Sequence, residues 1–279
     1  MQRGIMREQL KRMIKKLYRM GLYPLYLLEE PYSKRIDTKG ILQFKDKYLN
    51  KRCFIIGNGP SLNKVDFSLL KDEYTFGVNS IYYMTERNNF KPTFYMVEDQ
   101  HVVYDNLNEI NKYNVPYKFF PSQYRKVIKS DSNTFFFTMN RGFYEENSPN
   151  YCIPRFSKNC HERMYAGQSV TIMNLQLAFY MGFTEVYLIG MDFDYKLTRK
   201  DNVDGDVILS TKDEDENHFD PRYFGAGKKW HDPKLENVLT SYQFSKIVFE
   251  RFNRKIYNAT FGGKLEVFER VAFDSLFKK

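Results

Sequence analysis

Cys53 to Ser61 reads CFIIGNGPS: four apolar residues run straight into a glycine-rich turn. A short apolar run bounded by glycines is the pattern of a buried strand. Glycines at a strand's carboxyl end let backbone N–H groups approach a phosphate or ribose closely. The turn Gly57-Asn58-Gly59-Pro60-Ser61 is neither GxGxxG nor a P-loop, because Pro60 and Ser61 follow the second glycine and no GK[ST] is present. Spacing alone leaves two readings open, a nucleotide-binding turn or a tight turn whose Ser61 caps the next helix.

The same motif of apolar run and polar exit recurs outward along the chain. Arg52 to Ile56, Tyr74 to Val78, Thr93 to Val97, Tyr117 to Phe120, Thr134 to Thr138, Glu185 to Ile189 and Lys255 to Tyr257 read as strands, and Ser169 to Met181 and Lys234 to Phe252 as helices. Short apolar strands alternating with helices predict an α/β, Rossmann-like layout: a mostly parallel sheet with helices on both faces. Asn79 and Ser80 follow one strand, Glu98 and Asp99 another, and Asp192 a third. Each one alone is a turn residue, but in a parallel sheet all would meet at one edge and line a polar cleft.

Composition bounds the rest. The chain has 279 residues, 42% hydrophobic and 17% aromatic, which suits a globular body rather than disorder. Three cysteines, Cys53, Cys152 and Cys160, show no CxxC spacing and fit a reducing, cytoplasmic compartment. No signal peptide is recognisable, and no apolar stretch approaches the length needed to span a bilayer. The net charge of +9 gathers near the two ends while Asp213 to Asp220 is acidic, so a nucleic-acid partner is not expected. From Gln2 to Leu22, Met6, Leu10, Met13, Ile14, Leu17 and Met20 recur at helical spacing among Arg and Lys residues. This N-terminal amphipathic helix would lie on an anionic membrane surface, or pack on the body or on a second copy of the chain. Residues 1–48 accordingly read as basic helix and linker, and 49–279 as the nucleotide-binding domain.

Other groups bear on chemistry. Asp192-Phe193-Asp194 would clamp a divalent ion if the strand continues through Phe193, and the two carboxylates would diverge if it ends earlier. His218 lies in the acidic stretch DEDENHFDPRYFG and His231 follows Trp230, both in long loops where functional groups concentrate. Glu216 and Asp220 are the carboxylates nearest His218 in sequence and would favour its protonated form. GxSxG, HExxH and Cys/His metal spacings are absent. Asn258-Ala259-Thr260 matches a glycosylation sequon, read as chance in a cytoplasmic protein, and Gly262 and Gly263 after it suggest another close backbone approach at a strand end.

Taken together, FIIGNGPSL, the GQSVT turn at Gly167 to Thr171 and MGFTEVYLIGMDFDY at Met181 to Tyr195 resemble the bacterial sialyltransferases of Campylobacter type. ENHF at Glu216 to Phe219 and IYNATFGGKLEVF at Ile256 to Phe268 look more like the broader MptE-like pterin diphosphokinase family, which includes flagellin glycosylation proteins. The sialyltransferase resemblance implies inverting transfer of an acidic sugar from a CMP-activated donor to a hydroxyl of a surface glycan or lipid-linked acceptor. It implies no cofactor and no metal. Gly57, Asn58, Gly59, Pro60 and Ser61, with Asn79, Asp99, Ser169, Thr171, Asp192 and Asn258, would make up the nucleotide side. Tyr195 and Tyr223 would hydrogen-bond the departing phosphate, and a histidine would take the acceptor's proton. Where the sialyltransferases carry HYxGH, this chain reads HFDPRYFGAG, so His218 matches the first histidine, and His218 or His231 would be the base. The broad-family features imply instead an ATP-dependent diphosphokinase, with magnesium as its metal. The basic N-terminus alone would suit a third reading, a non-catalytic peripheral membrane module.

Overall fold

A computed structural model describes residues 39–196, 202–204, 207–211, 213 and 215–278. The amphipathic helix expected from Gln2 to Leu22 lies outside the described residues.

In chain order the described elements are β1 (Arg52–Ile56), β2 (Tyr74–Val78), α1 (Tyr82–Asn88), β3 (Phe94–Met96), α2 (Gln100–Asp105), α3 (Leu107–Lys112), β4 (Tyr117–Pro121) and β5 (Thr134–Phe137). The short strands β6 (Met139–Asn140) and β7 (Met164–Tyr165) precede α4 (Val170–Met181) and β8 (Glu185–Ile189). β9 (Asn202–Asp204), β10 (Val207–Leu209), β11 (Lys229–His231), α5 (Leu235–Arg251), β12 (Lys255–Asn258) and β13 (Glu269–Arg270) complete the chain. Every strand read from the sequence is present, within a residue or so at each end.

Eight strands form one parallel sheet in the order β13-β12-β8-β1-β2-β3-β4-β5. Alternation along β1 explains the two-sided burial. Cys53 and Ile55 enter the core beneath α4 and α5, while Phe54 and Ile56 enter the one beneath α1, α2 and α3. All twelve residues of α4 are buried, so this helix has no solvent face and its sequence shows no amphipathic stripe. Ser169 caps it, its Oγ accepting from Thr171 N, and Gly182 closes it in the left-handed conformation at φ 95°.

The stretch from Gly40 to Tyr48, read from the sequence as linker, belongs to the body. Ile41 and Phe44 are fully buried. The Phe44 ring packs edge-on against Tyr117, Phe119 and Phe135, and Tyr48 stacks on Phe183. Mixed charge hid this, because the apolar residues carry no clear period: they plug gaps beneath a sheet rather than cover a helix face.

Sequence neighbours run from β1 toward β5 on one side, whereas β8, β12 and β13 lie on the other. The reversal falls between β1 and β8. In open α/β sheets the crevice outside the carboxyl ends at such a point is where ligands bind. β9, β10 and β11 form a separate antiparallel sheet. β11 docks on α2 through Lys229 N, which donates to Asp105 Oδ2 at 3.0 Å. The three cysteines are free thiols. Among the described residues no helix is long and apolar enough to cross a membrane.

Candidate active site

At the β1/β8 reversal the two strands continue pairing into their turns: Gly57 N donates to Ile189 O at 2.8 Å and Gly59 N to Gly190 O at 3.0 Å. This closeness is why glycines occupy the turn. A Cβ on Gly57 would lie 2.4 Å from Gly190 O, and one on Gly59 would lie 1.8 Å from Asp192 Oδ2. Ser61 anchors the facing turn, its N and Oγ donating to Asp192 Oδ1 and Oδ2 at 3.1 and 2.6 Å. Burial pushes the Asp192 carboxyl up from its ordinary range, opposed by these two bonds.

The turns open onto a cleft of about 440 Å³. Of the residues expected on the nucleotide side, Gly57, Asn58, Gly59, Asn79, Asp99, Ser169, Thr171 and Asp192 line it. Pro60, Ser61 and Asn258 do not. Pro60 starts the 3-10 turn behind the glycines. Ser61 spends its donors on Asp192, and the buried Asn258 organises its own loop, donating to Leu265 O at 2.7 Å and accepting from Thr260 N at 3.0 Å. The polar strand ends converge as the parallel sheet requires, with Asn79, Glu98, Asp99 and Asp192 all on the cleft. Ser80 is buried against Tyr82 instead. Among the described residues Asn58 Oδ1 is buried without a hydrogen-bond partner, although Asn58 Nδ2 donates to Val78 O and to the Tyr223 hydroxyl. Such an orphaned acceptor suits a ligand donor.

The Asp192-Phe193-Asp194 carboxylates diverge. β8 ends at Ile189, the chain turns through Gly190 at φ 67° and Phe193 at φ 53°, and Asp194 pairs with Lys264 Nζ at 2.7 Å while Asp192 is held by Ser61. They do not fit a joint clamp for a metal ion.

His218, Tyr195 and Tyr223 all line the cleft. His218 is buried, and Asp215, rather than Glu216 or Asp220, is its carboxylate: Oδ2 lies 2.7 Å from Nδ1. Glu216 pairs with Lys196, and Asp220 with Arg222 and Arg87. The Tyr223 ring lies flat beneath the imidazole, centroids 3.9 Å apart and planes 2° from parallel. With Nδ1 occupied and the ring clamped, Nε2 is left without a partner among the described residues, on a side chain that lines the cleft. The hydroxyl of Tyr223 accepts from Asn58 Nδ2 at 3.0 Å. Tyr195, about one third exposed, faces His218 and Trp230 across the mouth. A second pair sits nearby, with His231 Nδ1 2.5 Å from Asp99 Oδ2. Burial raises the Asp99 carboxyl, but the His231 bond and charge and the amides of Val102 and His101 prevail and hold it below its usual range.

Sequence reasoning missed Asp215 as the partner of His218 and His231 as the partner of Asp99, and passed over Arg141 and Tyr144 on the cleft wall. The Asp215-to-His218 spacing was the visible signal, masked by four other acidic residues in the same stretch.

The family model described as 6-hydroxymethylpterin diphosphokinase MptE-like matches residues 32–198, over half of the chain. Among solved structures, the MAf glycosyltransferase from Magnetospirillum magneticum AMB-1 is similar at 14% sequence identity and a TM-score of 0.48. The match covers 88% of this chain and 39% of that protein, so the chain spans well under half of its length. No curated protein matches the chain.

Proposed function

Because the chain belongs to the 6-hydroxymethylpterin diphosphokinase MptE-like family, we propose that its cleft is the active site of a nucleotide-dependent transferase acting on a hydroxyl, and within that class a sugar transferase with a CMP-activated donor. The observation that carries the reading is His218. Its Nδ1 is anchored by Asp215 and its side chain lines the same cleft as the Gly57-to-Gly59 turn. An imidazole held through one nitrogen and free at the other is the arrangement a general base needs.

In the proposed step the Gly57 to Gly59 backbone, Asn58, Asn79 and the Ser169-capped amino end of α4 hold the nucleotide. Nε2 of His218 takes the acceptor's hydroxyl proton as that oxygen bonds to the anomeric carbon. The bond from that carbon to the phosphate oxygen breaks, and its electron pair leaves with the nucleotide. Direct displacement inverts the anomeric centre. Asp215 holds the tautomer and stabilises the imidazolium, while Tyr195 at the mouth is placed to meet the departing phosphate. The acceptor we propose is a surface glycan or lipid-linked sugar, reached at the cytoplasmic face of a membrane through the basic N-terminal segment.

The family's description points to the rival, an ATP-dependent diphosphokinase. Phosphoryl transfer depends on charge neutralisation, usually by a cation, and the diverging Asp192 and Asp194 favour the sugar transferase. Isothermal titration with CMP, CDP, UDP and ATP separates the two. The proposal expects cytidine nucleotides to bind, and tight ATP binding with none for CMP would sink it. Turnover that persists in EDTA would count against the diphosphokinase.

A further inference from the structure

The cleft has a second polar end, two strands away from the glycine turn. Glu98 follows β3, and Arg141 follows β6 and lies on the same wall. β1 and β3 are separated by β2, which puts the strand ends about 10 Å apart at ordinary strand spacing. A group held at the Glu98 end is thus separate from phosphates at Gly57 to Gly59.

Two polar atoms are left uncommitted there, one on Arg141 and one on Glu98. Arg141 Nε is buried with no hydrogen-bond partner, and among the described residues the guanidinium makes no ion pair. Buried donors are paired in folded proteins, so this nitrogen calls for an acceptor. Glu98 is buried, and one of its oxygens, Oε1, accepts from the Tyr144 hydroxyl at 2.7 Å. The other, Oε2, has no hydrogen-bond partner among the described residues, on a side chain that lines the cleft. Tyr144 N also donates to Arg141 O at 2.8 Å, so one tight turn fixes both the tyrosine and the arginine.

Burial favours the neutral carboxyl, as does the charge of Asp99, whereas Tyr144, Arg141 and His231 oppose it. The balance leaves Glu98 titrating at about 7. Tyr124 closes the group from β4's exit, its hydroxyl donating to Glu98 O at 2.7 Å. A neutral carboxyl with Oε1 occupied carries its proton on Oε2 and offers it to the cleft. Once ionised, the same group would compete with any anion for Arg141.

We propose that Arg141 and Glu98 form an oxyanion subsite that takes a carboxylate or phosphate monoester on the substrate not held at the glycine turn. The guanidinium supplies charge and a fork of donors, and the neutral Glu98 a further donor. This rests on the cleft being a two-substrate transferase site.

Saturation-transfer NMR and calorimetry on the full chain, with glucuronic acid, glucose 6-phosphate and glucose as probes at pH 6 and pH 8, test it. The wild type should bind at least one acidic probe about tenfold or more tighter than glucose. Whether the carboxylate or the phosphate probe is preferred identifies the source of the oxyanion. Arg141→Ala should abolish the preference, and Arg141→Lys should restore part of it. Glu98→Gln should keep the preference at both pH values, whereas the wild type weakens at pH 8. Equal binding of glucose and both acids by the wild type, an unchanged preference in Arg141→Ala, or loss of the preference in Glu98→Gln at pH 6 would each overturn the proposal. Titrations of CMP and ATP run in parallel keep the two readings apart. If neither nucleotide binds the wild type, the transferase reading fails, while the sugar probes still decide the subsite.

Discussion

Replacing Glu98 by glutamine should stabilise the protein at alkaline pH and hardly at all in acid. The Glu98 carboxyl, 8% exposed, is driven by burial from its ordinary 4.5 to about 7. Below the unfolded value the group is protonated in both states and costs nothing. Between the two values the unfolded chain releases the proton and the folded chain keeps it, so stability falls as pH rises. Above about 7 the loss is complete. The gap between 4.5 and about 7, at about 1.4 kcal/mol per pH unit, amounts to ~3 kcal/mol. The substituted amide would keep an acceptor for the Tyr144 hydroxyl and has no proton to lose. Guanidinium unfolding of both proteins at steps from about pH 4.5 to 8.5 should therefore show the advantage of the variant growing by up to ~3 kcal/mol, with other titrating groups cancelling between the two. A difference that stays flat with pH, or that shrinks as pH rises, would refute the assignment of a neutral Glu98.

Four further outcomes are expected. His218→Ala should lower kcat by about 10² to 10⁴ with nucleotide affinity kept; steady-state kinetics beside calorimetry checks this, and a small loss there with a large one in His231→Ala would move the base to the His231–Asp99 pair. Gly59→Ala would place its Cβ 1.8 Å from Asp192 Oδ2, so the two turns must part and nucleotide affinity should fall about tenfold or more, an effect that unchanged titration curves would contradict. Phe44→Ala removes a fully buried ring from the Tyr117, Phe119 and Phe135 cluster and should cost about 3–5 kcal/mol; likewise a chain starting at Lys51 should melt below one starting at Lys39, and equal melting temperatures would show the segment to be a linker after all.

The sheet was legible because its central strands are short apolar runs buried on both faces, and such runs announce themselves without help from neighbours, whereas the exposed edge strand β13 carries no such run. The edge was legible too: parallel strands put their carboxyl ends on one side, so Asn79, Glu98, Asp99 and Asp192 converge there, although Ser80 turns away to Tyr82. Gly57 and Gly59 were readable as glycines needing a close approach, although only the fold reveals that what approaches is β8's own turn. Phe44 was not readable, since a plug has no period.

Local pattern and strand direction were enough to reach the parallel α/β sheet, the edge at which its cleft opens and a short list of polar groups there. Which groups work together was decided only by the tertiary structure. Ser61 turned inward to Asp192, Tyr223 became the plate beneath His218, and Asp215 rather than its acidic neighbours took Nδ1. Those pairings depend on side-chain direction and on contacts between residues far apart in the chain. An acidic loop fixes neither, because carboxylates adjacent in sequence become distinct only when packing gives each a different neighbour.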